Sequence, residues 1–195
     1  MRKRAAVYLV MMVWIPAVAF GVRTLLRYAN TPGEPASPPE VWPADALIHP
    51  AEQRFTVLMF AHPRCPCSRA SLEELARIVS CCSQRMDATV LFYAPSSMPR
   101  NWNRTDLWNN AVAMGKVHVS DDPDGIVARR FGVHTSGQTL VYSADRRLAF
   151  NGGVTAFRGH SGDNEGRDQI VDLLLGVRQP RGKSPVFGCA IFSDQ

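Results

Sequence analysis

Blocks of apolar and polar residues follow one another along the chain and predict strands and helices in turn. Two continuous apolar runs, 55–61 (FTVLMFA) and 88–94 (ATVLFYA), are typical of short strands buried on both faces. Ser68 or Ser71 can cap a helix between them, and Glu74 stands three residues after Ser71, as a capping box requires. The apolar residues of this helix recur at helical spacing: Leu72, Leu75, Ala76, Ile78 and Val79.

The second half of the chain continues this alternation. A weakly amphipathic helix is predicted within 102–114, and Asp163 or Asn164 can cap a final helix that ends at Gly176. The segments between these helices predict, in order, a strand, a capped helix and two strands of a hairpin: 116–120, 121–131, 138–143 and 147–153. The order indicates an α/β sheet with helices on both faces, to which the hairpin adds an antiparallel edge.

The amino terminus has the pattern of a membrane segment. Three basic residues at 2–4 precede an uncharged apolar run, 5–22, which as a helix would span about 27 Å, close to the ~30 Å hydrocarbon core of a bilayer. The basic residues predict a cytoplasmic amino terminus and a domain that faces the periplasm. Residues 17–19 (AVA) also fit a cleavage site, so a secreted product of a cleaved signal stays open. Apolar residues beyond that site, 20–26, favour an uncleaved single-pass anchor in the inner membrane.

Composition divides the chain into four parts. Residues 30–43 are rich in proline and small residues, which is typical of a semi-rigid linker rather than of a packed core. The predicted parts are an anchor or signal segment, this linker, one folded domain and a tail that carries Cys189: 1–29, 30–43, 44–180 and 181–195.

The net charge of +5 does not change this picture, because the arginines are scattered along the chain. Nucleic-acid binding needs clustered basic residues with interleaved aromatic residues, so it is not predicted. A phosphate-binding glycine loop and a Gly-x-Ser-x-Gly elbow are both absent from the sequence, which leaves nucleotide-binding and serine-hydrolase functions without support. We expect no bound cofactor.

The five cysteines are the candidate chemistry. Cys65 and Cys67, in the stretch HPRCPCSRAS at 62–71, lie where a strand meets the amino end of a helix. The helix dipole and its free N–H groups stabilise a thiolate there, and Arg64 adds positive charge. Cys81 and Cys82 fall at the other end of the same helix, and we interpret them as structural thiols or a local pair.

The stretches VLMFAHPRCPCSRASLEELARI and VHVSDDPDGIVARRFGVHTSGQTLVYSADRRLAFNGGV resemble the thioredoxin-like superfamily. Within it, the chain resembles the membrane-tethered TlpA-type and RedB-like proteins, and RGHSGDNEGR and PVFGCAIF are similar to the RedB-like group in particular. The resemblance implies a thioredoxin-like sheet behind an N-terminal transmembrane or signal helix, a redox site at the cysteines, and protein thiols or disulfides as partners. Two features depart from the family: Ser68 stands where a second cysteine is usual, and Gly137 where a cis-proline is usual.

Redox chemistry is the first hypothesis for the site. Cys65 is the predicted nucleophile and Cys67 the thiol that resolves the mixed disulfide, with His62 and Ser68 tuning them. A disulfide across one intervening residue closes a small, strained ring, which raises its reduction potential. Cys189 can fold back as an alternative resolving thiol.

Two other hypotheses stay open. His62, Cys65 and Cys67 offer one imidazole and two thiolates, a set that suits Cu(I), and the arrangement is similar to copper chaperones of the Sco type. The distant ligand would then be one of three further histidines, namely His118, His134 or His160. A purely structural disulfide is less favoured, because a one-residue loop removes almost no chain entropy.

The loop around His160, with Arg158, is either a lining of the site or a turn before a helix cap.

Overall fold

A computed structural model describes residues 2–177 and 182–192, without the side chains of residues 2, 3, 5 and 6. The ends of the predicted domain and tail, 178–181 and 193–195, lie outside the described residues, as does Met1. The helices and strands follow in this order: α1 (Arg2–Asn30), β1 (Phe55–Ala61), α2 (Cys67–Cys82), β2 (Met86–Ala94), α3 (Asp106–Ala113), β3 (Val117–Pro123), α4 (Ile126–Arg130), β4 (Gln138–Tyr142), β5 (Leu148–Gly152) and α5 (Glu165–Leu175).

The strands form one five-stranded sheet in the order β3-β2-β1-β4-β5. Strand β1 pairs in parallel with β2, and β2 with β3, whereas β4 runs antiparallel to both β1 and β5. The two apolar runs of the sequence are therefore neighbours inside the sheet, which explains why neither of them alternates apolar and polar residues. The predicted α/β sheet with a terminal antiparallel hairpin is confirmed.

Helices cover both faces of this sheet. On one face, α2, α3 and α5 share a buried cluster with β1, in which Met59, Leu75 and Ile170 are fully buried. On the other face, α4 lies with an aromatic cluster that includes Phe60 and Phe131. Successive residues of β1 thus enter opposite cores, as the pleat of a strand requires.

Helix α2 begins earlier than its serines predict. It starts at Cys67, with Pro66 as the N-cap residue and no side-chain capping bond. The fixed φ of proline suits the first turn of a helix, so the helix extends back into the cysteine pair. Ser68 and Ser71 consequently lie inside the helix, and the capping role predicted for them is wrong. At α5 the predicted cap is confirmed, because the Asn164 side chain accepts from a backbone N–H of the first turn.

The proline-rich segment, for which the sequence predicts a linker, lies against the domain from Gly33 onward. The Gly33 N–H donates to the Val186 carbonyl at 2.8 Å, and the Tyr142 hydroxyl donates to the Pro39 carbonyl at 2.8 Å. Trp42 is buried, with its ring 5.1 Å from that of Tyr142. A segment without regular structure can pack in this way when its backbone groups find partners on the domain.

Helix α1 belongs to a separate compact unit, Met1–Thr31. Its part Val7–Asn30 is 24 residues long, exposed, and by length and composition able to cross a membrane. The predicted apolar helix at the amino terminus is confirmed. Its orientation and the choice between anchor and signal stay predictions.

Candidate active site

The two neighbouring cysteines lie in the turn that joins β1 to α2. The Cys65 N–H donates to the His62 carbonyl at 3.2 Å, and the Ser68 N–H donates to the Cys65 carbonyl at 3.0 Å. These bonds close the turn around Pro66, so that Cys65 precedes the helix and Cys67 is its first residue. Both side chains are buried, Cys65 being 1% exposed and Cys67 7% exposed.

A third sulfur completes the site. The Sγ atoms of Cys65 and Cys189 lie 3.0 Å apart, which is hydrogen-bonding distance for a thiol beside a thiolate. The Sγ atoms of Cys65, Cys67 and Cys189 all lie within 4.8 Å of one another. The sequence offers Cys189 only as an alternative thiol in a tail, whereas the fold brings it into direct contact with Cys65.

The segment that carries Cys189, residues 182–192, is here named the C-terminal arm. It runs beside the residues that lead into β4: the Ser136 N–H donates to the Cys189 carbonyl at 2.9 Å, and the Ile191 N–H donates to the His134 carbonyl at 2.8 Å. Thr135 and Ala190 form an isolated antiparallel bridge between these two bonds. The arm therefore adds a short strand-like pairing next to the thiols.

The three thiols do not share charge equally. Hydrogen bonds from Cys189, Cys67 and Ser68 hold the pKa of Cys65 well below its usual range, against the opposing effect of burial. The pKa of Cys189 is raised, first by its hydrogen bond to Cys65. For Cys67, the hydrogen bond with Cys189 lowers the pKa, but the Cys65 thiolate and burial outweigh it and raise the pKa overall. These shifts favour the thiolate form at Cys65 and the protonated form at Cys67 and Cys189.

His62 and Ser68 both hydrogen-bond to Ser136, a residue that the sequence pattern does not single out. The Ser136 hydroxyl accepts from the His62 backbone N–H at 2.8 Å and lies 2.6 Å from the Ser68 hydroxyl. The His62 imidazole is buried, accepts from the Arg64 N–H through Nδ1 at 3.2 Å and stacks on Tyr93. His62 is not part of the cluster of three sulfurs. The one signal for Ser136 in the sequence is its position just before Gly137, which stands at the place of a cis-proline in the resemblance.

The comparisons with known proteins bear on the fold. An uncharacterized conserved protein from Geobacillus kaustophilus has 19% sequence identity and a TM-score of 0.61, and the match covers 85% of this chain and 93% of that one. A hypothetical protein from Sinorhizobium meliloti 1021 has 18% identity and a TM-score of 0.59, over 85% and 96% of the two chains. A secreted disulfide oxidoreductase from Mycobacterium tuberculosis, homologous to DsbE of E. coli, has 16% identity and a TM-score of 0.43, over 64% and 83%. The sheet order β3-β2-β1-β4-β5, with its antiparallel terminal hairpin, is that of a thioredoxin-like fold.

No protein-family model and no curated protein sequence matches the chain. The fold rests on the sheet and its helices, and the chemistry is inferred from the site itself.

Gly137 directly precedes β4 and has a backbone conformation that favours glycine. Its φ is +87°, in the left-handed region, and its N–H donates to the Phe60 carbonyl at 2.7 Å. A Cβ at this position would lie 2.7 Å from the Ser71 hydroxyl. Glycine here lets the chain approach α2 closely, which brings the neighbouring Ser136 hydroxyl to Ser68.

Arg158 comes from the glycine-rich loop that precedes α5. Its guanidinium donates to the Gly188 carbonyl of the C-terminal arm, and its positive charge favours the thiolate form of Cys67. Glu74 holds this loop on α2: its carboxylate is fully buried and accepts from the Gly162 N–H at 2.7 Å and the Ser161 hydroxyl at 3.0 Å. The loop thus contacts the site through Arg158, whereas His160 stacks on Phe157.

A groove of about 560 Å³ opens onto Cys65. Two basic side chains and one acidic side chain are among its lining residues, which are Pro63, Arg64, Cys65, Pro66, Arg69, Thr105, Asp106 and Leu107.

At the other end of α2, Cys81 and Cys82 are joined to each other in a disulfide, so the predicted local pair is the arrangement in the structure. The three remaining cysteines are those of the site.

Proposed function

We propose that the chain is an extracytoplasmic thiol–disulfide oxidoreductase of the TlpA-type or RedB-like kind, tethered to the inner membrane by α1. The observation that carries this proposal is the cluster of three thiols, whose Sγ atoms lie within 4.8 Å of one another, with Cys65 among the residues that line a groove. A thiolate is the nucleophile of disulfide exchange, and it needs access to the substrate together with a second thiol within reach.

In the proposed reaction, the Cys65 thiolate attacks one sulfur of a protein disulfide that lies in the groove. A mixed disulfide forms, and the other substrate sulfur leaves as a thiolate. A neighbouring thiol of this chain then attacks Cys65 Sγ and releases the substrate, and the sequence pattern assigns this resolving step to Cys67. Ser68 stabilises the Cys65 thiolate by a hydrogen bond, while His62 shapes the turn that presents it.

The reactivity of Cys65 at different pH values tests this proposal. The full-length chain in detergent is alkylated with iodoacetamide between pH 4 and 10, and the rate at each cysteine is measured by mass spectrometry. We expect Cys65 to react at acidic pH, where a free thiol with a pKa of about 8.5 does not. Exchange with oxidised glutathione is measured in parallel, with the double substitution Cys81→Ser and Cys82→Ser as the control. An ordinary pKa at Cys65, together with no exchange, would contradict the redox function.

Cu(I) delivery is the second candidate, and the cluster of three sulfurs within 4.8 Å favours it. Soft thiolate ligands select Cu(I), so the metal would be carried as cargo by Cys65, Cys67 and Cys189. This ligand set differs from the one predicted from sequence, in which His62 joins the two neighbouring cysteines.

Copper content distinguishes these ligand sets from each other and from the redox function. The chain is loaded with Cu(I) under anaerobic conditions and challenged with a chelator of known affinity. Loss of copper in Cys189→Ser and retention in His62→Ala would support the set of three thiols. The reverse pattern would support the set with His62, and weak binding in the unsubstituted chain would remove the copper function.

A further inference from the structure

We propose that Cys189, and not Cys67, is the thiol that resolves the mixed disulfide on Cys65, so that the C-terminal arm is part of the active site. This inference rests on the proposed redox function and specifies its second step. Its basis is the geometry of the three sulfurs and the way in which the arm is held.

Chain geometry separates the two possible partners of Cys65. Cys67 is two residues away across Pro66, whose φ of −59° and ψ of −30° are helical. Because one residue alone separates the two cysteines, a disulfide between them closes a very small ring. Cys189 approaches from a separate segment and has no such constraint. Its Sγ already lies 3.0 Å from that of Cys65, about 1 Å more than the length of a disulfide bond.

Backbone contacts hold Cys189 in this position. A Cβ added to Gly188 would lie 1.8 Å from the Ser136 carbonyl oxygen, so the glycine allows the arm to approach the residues before β4. Ile191, two residues beyond Cys189, is buried in the aromatic cluster on that face of the sheet. At the other end of the arm, the Ser184 hydroxyl donates to the Gly153 carbonyl at 2.8 Å. The arm is thus attached to the domain on both sides of its thiol.

Cys189 is already next to the sulfur that it has to attack. Its Sγ lies 3.0 Å from Cys65 Sγ, so the second step needs little movement of the arm. Cys67 remains a neighbouring thiol, with its Sγ within 4.8 Å of both.

Each step balances in sulfur atoms and electrons. The Cys65 thiolate attacks the substrate disulfide R–S–S–R′, which forms the Cys65–S–S–R bond and releases R′–S⁻. The Cys189 thiolate next attacks Cys65 Sγ, which breaks the bond to R, releases R–S⁻ and forms the Cys65–Cys189 disulfide. Two electrons pass from the two cysteines to the substrate, and the reverse sequence oxidises a substrate dithiol.

Peptide mapping after oxidation tests the assignment. The full-length chain, with Cys81 and Cys82 both replaced by serine, is treated in detergent with oxidised glutathione, quenched with iodoacetamide and digested with trypsin without reduction. Trypsin releases residues 65–69, with Cys65 and Cys67, and residues 184–195, with Cys189, as separate peptides. We expect these peptides to be joined through Cys65 and Cys189, with Cys67 alkylated, and to remain joined in Cys67→Ser.

The substitution Cys189→Ser supplies the kinetic arm of the test. It leaves the described backbone bonds of the C-terminal arm in place, since these use main-chain atoms of residues 188–191. We expect glutathione to persist on Cys65 in this variant, with its release slowed by about a hundredfold or more, because an intramolecular thiol is replaced by a bimolecular one. An internal disulfide within 65–69, with Cys189 alkylated, would overturn the assignment to Cys189. The absence of any adduct on Cys65 in every variant would overturn the redox function itself.

Discussion

Replacement of the buried carboxylate of Glu74 by an amide, Glu74→Gln, probes how the loop before α5 is held to α2. One carboxylate oxygen accepts from the Gly162 N–H and the Ser161 hydroxyl, and the other accepts from Arg167 at 2.9 Å. Glutamine has a single acceptor oxygen. If that oxygen keeps the loop, its NH₂ group faces the guanidinium, and a charge-assisted hydrogen bond is replaced by two opposed donors.

The structure sets the size of this effect. Removal of one partner of a fully buried ion pair costs about 3–5 kcal/mol. Arg167 is 16% exposed at its side chain and keeps a second carboxylate partner, Asp168, at 2.9 Å, so the cost falls at the lower end, about 3 kcal/mol. For a domain of this length, a loss of that size lowers Tm by about 6–12 °C.

Arg77→Gln is the matched control, because Arg77 pairs with the same carboxylate from a side chain that is 51% exposed. An exposed pair contributes about 0.5 kcal/mol, so Tm should change by no more than about 2 °C. Thermal unfolding of the full-length chain is followed by tryptophan fluorescence in one detergent for all variants. Equal shifts in Glu74→Gln and Arg77→Gln would refute the reasoning that burial of the Arg167 pair decides the cost.

Three further predictions concern the thiols and their support. Gly188→Ala should displace the arm, raise the pKa of Cys65 in alkylation experiments and reduce the yield of the Cys65–Cys189 disulfide, because the added methyl meets the Ser136 carbonyl at 1.8 Å. Gly21→Ala, whose methyl meets nothing within 4 Å, is the control, and an unchanged disulfide yield in Gly188→Ala would count against a fixed arm. The reduced chain should gain stability as pH rises toward about 8.5, because the folded state has already released the Cys65 proton that the unfolded chain still binds. Above that pH, stability falls as the pH rises further, because the unfolded chain loses all three thiol protons while the folded protein retains two. Urea titrations that show the same dependence of stability on pH in Cys65→Ser would refute this assignment. Ser136→Ala should destabilise the chain by about 1–2 kcal/mol in urea titrations, since it leaves the buried His62 N–H without its acceptor, and an unchanged midpoint would contradict that role.

The framework of the fold follows from sequence because its determinants are local. The runs 55–61 and 88–94 are apolar apart from one threonine each, and strands inside a covered sheet have that pattern. The helical spacing from Leu72 to Val79 likewise identifies the face of α2 that meets the sheet. These two features are sufficient to predict that Cys65 and Cys67 lie at a strand–helix junction.

The support of the site could not be predicted, because it depends on contacts between distant segments. Cys189 lies in a stretch with no helical or strand period, and its position depends on backbone hydrogen bonds to residues 134–136, which leave no such period in the sequence. Trp42 falls in the predicted linker because neighbouring prolines dominate the composition of its segment. The predicted start of α2 is too late because serine is the more usual N-cap residue. In the structure, Pro66 with its helical φ takes that position instead.

The position of Ser68 explains why a third thiol has a place in this site. In the resemblance to thioredoxin-like proteins, Ser68 stands where a second cysteine would face the first from one turn into the helix. Here the Ser68 hydroxyl lies against Ser136, and Ser136 in turn donates its N–H to the Cys189 carbonyl. Ser136 therefore links Ser68, which stands at the usual position of the second cysteine, to the C-terminal arm, which supplies another thiol. If Cys65 and Cys189 form the redox pair, oxidation covalently attaches the arm to the turn before α2, and reduction leaves it held by hydrogen bonds and burial alone. The redox state of the thiols and the docking of the C-terminal arm are then one coupled equilibrium.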